Sequence, residues 1–107
     1  MAMTPEAKVK KKVAEALKKL GVYYFYPVTG GYGRSGVPDI VGCYNGKFFG
    51  IECKAGKGKT TLLQDMNINQ IRAAGGIAAV VNEDNLHTVA DILNEREVDE
   101  RQMTFDF

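Results

Sequence analysis

Three residues have the types and spacing to do chemistry together: Asp39, Glu52 and Lys54. They lie in two β-rich runs, 38–44 and 47–54, separated by Asn45-Gly46, a pair suited to the two positive-φ positions of a tight hairpin. With a two-residue loop, Tyr44 faces Lys47, Cys43 faces Phe48, Val41 faces Gly50, Ile40 faces Ile51, and Asp39 faces Glu52. Two carboxylates placed opposite each other repel, so something must compensate. Period-two alternation puts Lys54 on the face of Glu52, and a cation held by both acids accounts for all three residues. Oxygen ligands without a nearby His select Mg²⁺ or Mn²⁺ over zinc. The same triplet is also satisfied by a solvated strand end or a plain ion pair. A bulge at Gly42 or Gly50 would shift the register and separate the acids.

Around this hairpin, helical and strand periodicities alternate. Thr4-Pro5-Glu6 predicts a helix start, with Thr4 as N-cap, Pro5 at the first helical position and Glu6 in the first turn. Val9, Val13, Ala16, Leu17 and Leu20 form its apolar stripe, and Gly21 ends it. Glu6 falls on that stripe, as a dipole-stabilising acid or as a carboxylate reaching the cation. Lys8, Lys11, Lys12, Lys18 and Lys19 lie on the outer side, where they are solvated or touch phosphates. Residues 22–28 read as a strand ended by Pro27, with its aromatics expected in the core rather than as base-stacking platforms. The glycine-rich stretch 29–37 lacks the strand-to-helix context of a nucleotide-binding loop; Tyr32 and Arg34 within it could hold a phosphate. A basic turn with Lys57 and Lys59 follows Lys54. Thr61-Leu62-Leu63-Gln64 matches a capping box opening a helix over 62–74, 77–81 reads as a buried strand, and Asn82 to Asp84 caps a last helix to Leu93. His87 is expected on the surface.

With 107 residues, 45% apolar and 25% charged, the chain has the size and composition of one globular domain. It has no run of transmembrane length, and its first residues are too polar for a secretory signal, so a cytoplasmic location is expected. Cys43 and Cys53 fall on opposite faces of the hairpin and are expected to be free thiols. The net charge of +1 divides unevenly: twelve basic residues against five acids over 1–82, and two against eight over 83–107. A basic body suits a phosphate backbone. Beyond Asn94 periodicity is lost, and an acidic, flexible tail (95–107) is expected, closing on Gln102-Met103-Thr104-Phe105-Asp106-Phe107. Its three apolar side chains suit a partner's pocket or an element that folds back on the domain.

The order of elements, with Gly36-Val37-Pro38-Asp39, Glu52-x-Lys54 thirteen residues after Asp39, and Gln64 ten beyond Lys54, resembles the PD-(D/E)XK nuclease superfamily, in particular its virus-type replication-repair nuclease (VRR-NUC) branch. The resemblance spans 4–93 and implies an α/β, restriction-endonuclease-like core: helix-strand-strand-strand-helix-strand-helix, with a central mixed sheet flanked by helices. The VRR-NUC domain would occupy 1–94. The resemblance further implies a Mg²⁺- or Mn²⁺-dependent, structure-specific endonuclease acting on branched DNA, including four-way junctions, in replication or repair. Asp39 and Glu52 would be metal ligands, joined by the backbone carbonyl of Cys53 and by Glu6, directly or through water. Lys54 would orient the water or stabilise charge, an electrostatic role being favoured because neighbouring carboxylates oppose the depressed pKa of a general base. Gln64 would be the motif glutamine beside the site. DNA contacts fall to Tyr32, Arg34, Lys57, Lys59, Lys11 and Lys12, and a homodimer is implied. The final residues resemble peptides that dock on bacterial sliding clamps, with Gln102, Met103, Phe105 and Phe107 in the motif places, which would set the protein in a bacterial or phage-infected cell. Two other functions fit the residues less closely: a non-catalytic DNA-binding or clamp-tethered module, and a restriction-type endonuclease.

Overall fold

The computed structural model describes residues 3–28 and 33–96. Thr4 accepts a hydrogen bond from the Ala7 amide at 3.1 Å and starts helix α1 (Pro5–Lys19), which buries Val9, Val13, Ala14 and Leu17. Strands β1 (Tyr23–Phe25), β2 (Ile40–Tyr44) and β3 (Lys47–Cys53) follow, then helix α2 (Leu62–Ala73), strand β4 (Ile77–Val81), a single 3₁₀ turn over Leu86–Thr88, and helix α3 (Val89–Leu93). The strands form one sheet in the order β1-β2-β3-β4. The first three are antiparallel neighbours, and β4 lies parallel to β3, the pair that α2 connects.

The hairpin register is the one expected, with Tyr44 opposite Lys47 and Ile40 opposite Ile51 and no bulge between them. The turn that sets it has Asn45 at φ 52° and Gly46 at φ 81°, the left-handed values a two-residue hairpin loop requires. Alternation then sorts the side chains. Ile40, Phe49, Ile51 and Cys53 join Val9, Val13, Leu17, Val81, Val89 and Leu93 in one buried cluster between the sheet and helices α1 and α3. Each large side chain in it contributes roughly 1.5–3 kcal/mol by leaving water. The opposite face carries Glu52 and is covered by α2. Arg72 anchors the far end of that helix, its guanidinium donating to the Ala78 carbonyl from Nε at 3.1 Å and Nη2 at 2.7 Å.

Three local expectations change. The first strand is only three residues long, because Pro27 has no amide to donate and β1 is an edge strand. Its aromatics are not in the core: Tyr23 is 70% exposed, Phe25 49% and Tyr26, just beyond, 44%, while only Tyr24 packs against the buried cluster. No further strand pairs with that edge among the described residues. The last helix starts later than Asn82 to Asp84 suggest. Asn82 Oδ1 accepts from the Asp84 and Asn85 amides and Asn85 Oδ1 from the Asn82 amide, so these side chains hold a turn instead.

Cys53 is buried, Cys43 exposed, and both are free, as expected; His87 is exposed. At the hairpin end of the sheet, Tyr44 donates to Asn94 at 3.1 Å and Lys47 pairs with Glu95 at 2.8 Å, so the chain is held to the domain up to that point. None of the helices among the described residues is long and apolar enough to cross a membrane.

Candidate active site

The acids meet at the end of the sheet where β3 runs out and β2 begins. Asp39 immediately precedes β2, and its Oδ2 accepts the Cys53 amide at 2.9 Å, continuing the hairpin pairing by one side-chain bond. Glu52, the next-to-last residue of β3, is 2% exposed. Lys54 Nζ lies 3.5 Å from Glu52 Oε2, its side chain 13% exposed. Two acids and a lysine from separate strands are therefore brought together.

Gln64 joins them, and it does two things at once. Its Oε1 accepts the Thr61 amide at 2.9 Å while Thr61 Oγ1 accepts the Gln64 amide at 3.2 Å, which closes the capping box. Its Nε2 donates to Glu52 Oε2 at 3.0 Å. The residue that starts α2 thus also fixes the carboxylate. Helix and site are brought close by Gly36, which has φ 80° and whose Cβ, if present, would lie 2.7 Å from the Leu63 backbone. Asn67 adds a second tie, donating to the Ser35 carbonyl at 3.0 Å.

Glu52 Oε2 is thus occupied twice, whereas Oε1 is buried without a hydrogen-bond partner. A buried carboxylate oxygen left unsatisfied costs free energy of order 1–3 kcal/mol or more. Burial foremost, then the adjacent Asp39 charge, pushes the Glu52 carboxyl up to about 7, with Lys54 opposing. With both acids ionised, no hydrogen bond can join them; a proton or a cation between them removes the repulsion.

A divalent cation suits this donor set. Among the described residues no three His, Cys, Asp or Glu side chains gather about one point. Mg²⁺ is commonly held by one or two carboxylates and keeps several waters, so Asp39 and Glu52 are the residues that would hold it, without a third acid. The sulfur of Cys53 stays out of it: the residue is fully buried on the core face, and burial followed by the Asp39 and Glu52 charges pushes its thiol up to about 12.

The other expected residues are dispersed. Glu6 is exposed in the first turn of α1 and forms no three-acid cluster with Asp39 and Glu52, although its charge reaches the Cys53 thiol. Arg34 donates to Gln70 Oε1, six residues beyond Gln64 on α2, so it lies along the helix and away from Glu52. Lys57 and Lys59 are exposed on the turn after Lys54, which Glu83 pins by accepting the Gly56 amide at 2.9 Å. Lys11 and Lys12 are exposed on α1. Tyr32 and the motif Gln102, Met103, Phe105 and Phe107 lie outside the described residues.

Two neighbours were missed from the sequence. Lys10 sits 5.0 Å above the Tyr26 ring, and both are near enough to Cys53 for the charges to interact. The signal was the spacing of Lys10, four residues after Glu6 and three before Val13, which places it at the border of the buried stripe. No protein-family model matches the chain, and comparison with curated proteins finds no match.

Proposed function

We propose that this chain is a divalent-metal-dependent endonuclease of the PD-(D/E)XK type, close to the VRR-NUC branch, that hydrolyses phosphodiester bonds in branched DNA. The observation that carries the reading is Glu52 Oε1: a buried carboxylate oxygen without a partner in the protein, beside a second carboxylate whose repulsion a bound cation would offset. Asp39 and Glu52 would hold Mg²⁺ or Mn²⁺ with the Cys53 backbone carbonyl. When bound, the ion supplies Lewis-acid activation of water and neutralises charge developing on the phosphate.

The rest of the chemistry belongs to the chain. Gln64 and Lys54 both engage Oε2 and so leave Oε1 free to hold a cation. Asp39, tied to the Cys53 amide, keeps its other oxygen for the same purpose. The Lys54 ammonium, held by the Glu52 carboxylate, stabilises negative charge on the phosphate oxygens in the transition state. The basic body, with Lys57 and Lys59 exposed on the turn that follows Lys54, suits a polyanionic substrate.

The test is cleavage of flap, fork, four-way and linear duplex DNAs in Mg²⁺ or Mn²⁺. Wild type is expected to cut at least one branched form, and Glu52→Ala and Asp39→Ala to cut none. Intact substrates with wild type in both metals, or undiminished cleavage by Glu52→Ala, would sink the assignment.

A further inference from the structure

The face of the sheet that carries Glu52 is only partly covered. Strand pairing sets Tyr23 opposite Cys43 and Cys43 opposite Phe48, so these three side chains form one row across the sheet on that face. The next row, Phe25, Val41 and Gly50, is covered at its Gly50 end, where a Cβ would meet Pro38 Cγ at 2.7 Å and Ile71 Cδ1 at 3.1 Å. The row nearer the hairpin turn stays open among the described residues: Tyr23 is 70% exposed, Phe48 47%, and Cys43 is exposed between them. Phe25 and Phe48 border a groove of about 280 Å³ whose one charged lining residue is Arg34.

Aromatic side chains exposed beside an open sheet edge invite association, and the chain itself supplies an occupant. Tyr44 and Lys47 form the last pair before the Asn45-Gly46 turn, one pair from the row, and they hold Asn94 and Glu95. Residues 97–107, which lie outside the described residues, therefore begin close to the row, across the sheet from it. Residues 97–102 span about 20 Å when extended, roughly twice the ~10 Å between packed sheet layers, and so can round a two-residue turn. Met103, Phe105 and Phe107 alternate with polar residues, which in an extended segment puts all three on one side. The stretch 97–107 carries four acids against one base, a charge that Arg34 attracts. So short a tether holds the segment at an effective concentration of order millimolar, above that of a second copy in ordinary solution.

We propose that residues 103–107 dock within the same chain on the Tyr23–Cys43–Phe48 row, with Met103, Phe105 and Phe107 against the two rings. Docked there, the segment shields the aromatic face and withholds its own apolar side chains from other partners. This goes beyond the nuclease reading and does not depend on it.

The experiment uses the thiol within the row as its reporter. The intact chain, in EDTA, is alkylated with N-ethylmaleimide and followed by mass spectrometry. Cys53 is buried, so the first adduct reads Cys43 and a second adduct signals unfolding. Phe105→Ser combined with Phe107→Ser is expected to speed the first adduct about 10-fold or more, because only the undocked fraction of the wild type reacts. The wild-type rate is expected to hold constant over about two decades of protein concentration, as contact within one chain requires. Equal rates in wild type and variant overturn the proposal and leave the segment to an outside partner such as a clamp. Protection that deepens with protein concentration overturns it as well and gives the face to a second copy. Neither readout involves hydrolysis: failed docking leaves the nuclease assignment standing, and missing cleavage leaves the docking untouched.

Discussion

At the scale of single residues, Glu52 sets the behaviour of the site. Its carboxyl binds a proton more tightly in the folded chain, at about 7, than at the ordinary value of 4.5. The folded state therefore holds more protons between those values, and the metal-free protein loses stability as pH rises through about 7. Glu52→Gln removes the charge. The variant is expected to melt above wild type at pH 8 in EDTA, by about 1–2 kcal/mol once the lost Lys54 contact is deducted, and to match it near pH 4.5. Circular-dichroism melts at the two pH values check this; a lower melting point for the variant at pH 8 would contradict it. The same shift would make the proton and the proposed metal competitors. Mn²⁺ affinity should rise with pH up to about 7, with proton release seen by calorimetry in buffers of different ionisation enthalpy.

At the scale of elements, the site depends on how closely α2 approaches the sheet. Gln64 reaches Glu52 only because the loop before β2 lies against the start of that helix, and Gly36 is where they meet. Gly36→Ala introduces both a disfavoured positive φ and a contact with backbone that cannot yield. The expected loss is about 2–3 kcal/mol of stability, with a fall in kcat that exceeds any change in substrate affinity. Denaturant titration and single-turnover cleavage would read the two effects. Destabilisation with unchanged kcat would mean that the helix position does not govern the carboxylate. The hairpin is the other determining element: with the left-handed pair at Asn45-Gly46, no slip of one residue is available to separate the acids.

At the scale of the whole molecule, the proposed metal would be linked to the fold by mass action. Repulsion between Asp39 and Glu52 opposes folding in the absence of a cation, and a cation that binds only the folded arrangement stabilises it. Mn²⁺ at 100 times its dissociation constant should raise stability by about 2.7 kcal/mol, or roughly 10 °C in Tm for a domain of this size. Thermal melts with and without Mn²⁺ measure it, and Asp39→Asn or Glu52→Gln should abolish the shift. An equal shift in those variants would place the ion elsewhere.

The features set by short-range rules were legible in the chain itself. The Asn-Gly turn needs left-handed backbone wherever it occurs, so the register and the meeting of Asp39, Glu52 and Lys54 followed by counting. Thr4 and Thr61 cap their helices with groups three residues away, and the buried stripe of α1 repeats at the helical period. Other features depend on which distant surfaces touch, and local spacing carries no record of that. Only the packing of α2 let Gln64 serve both its own helix and Glu52, turned Arg34 toward Gln70, and left Glu52 Oε1 without a partner. The aromatics around β1 show the difference: their composition signals burial, yet a strand at the sheet edge, with no further strand beside it, leaves Tyr23, Phe25 and Tyr26 largely exposed, because a side chain is buried by its neighbours in space.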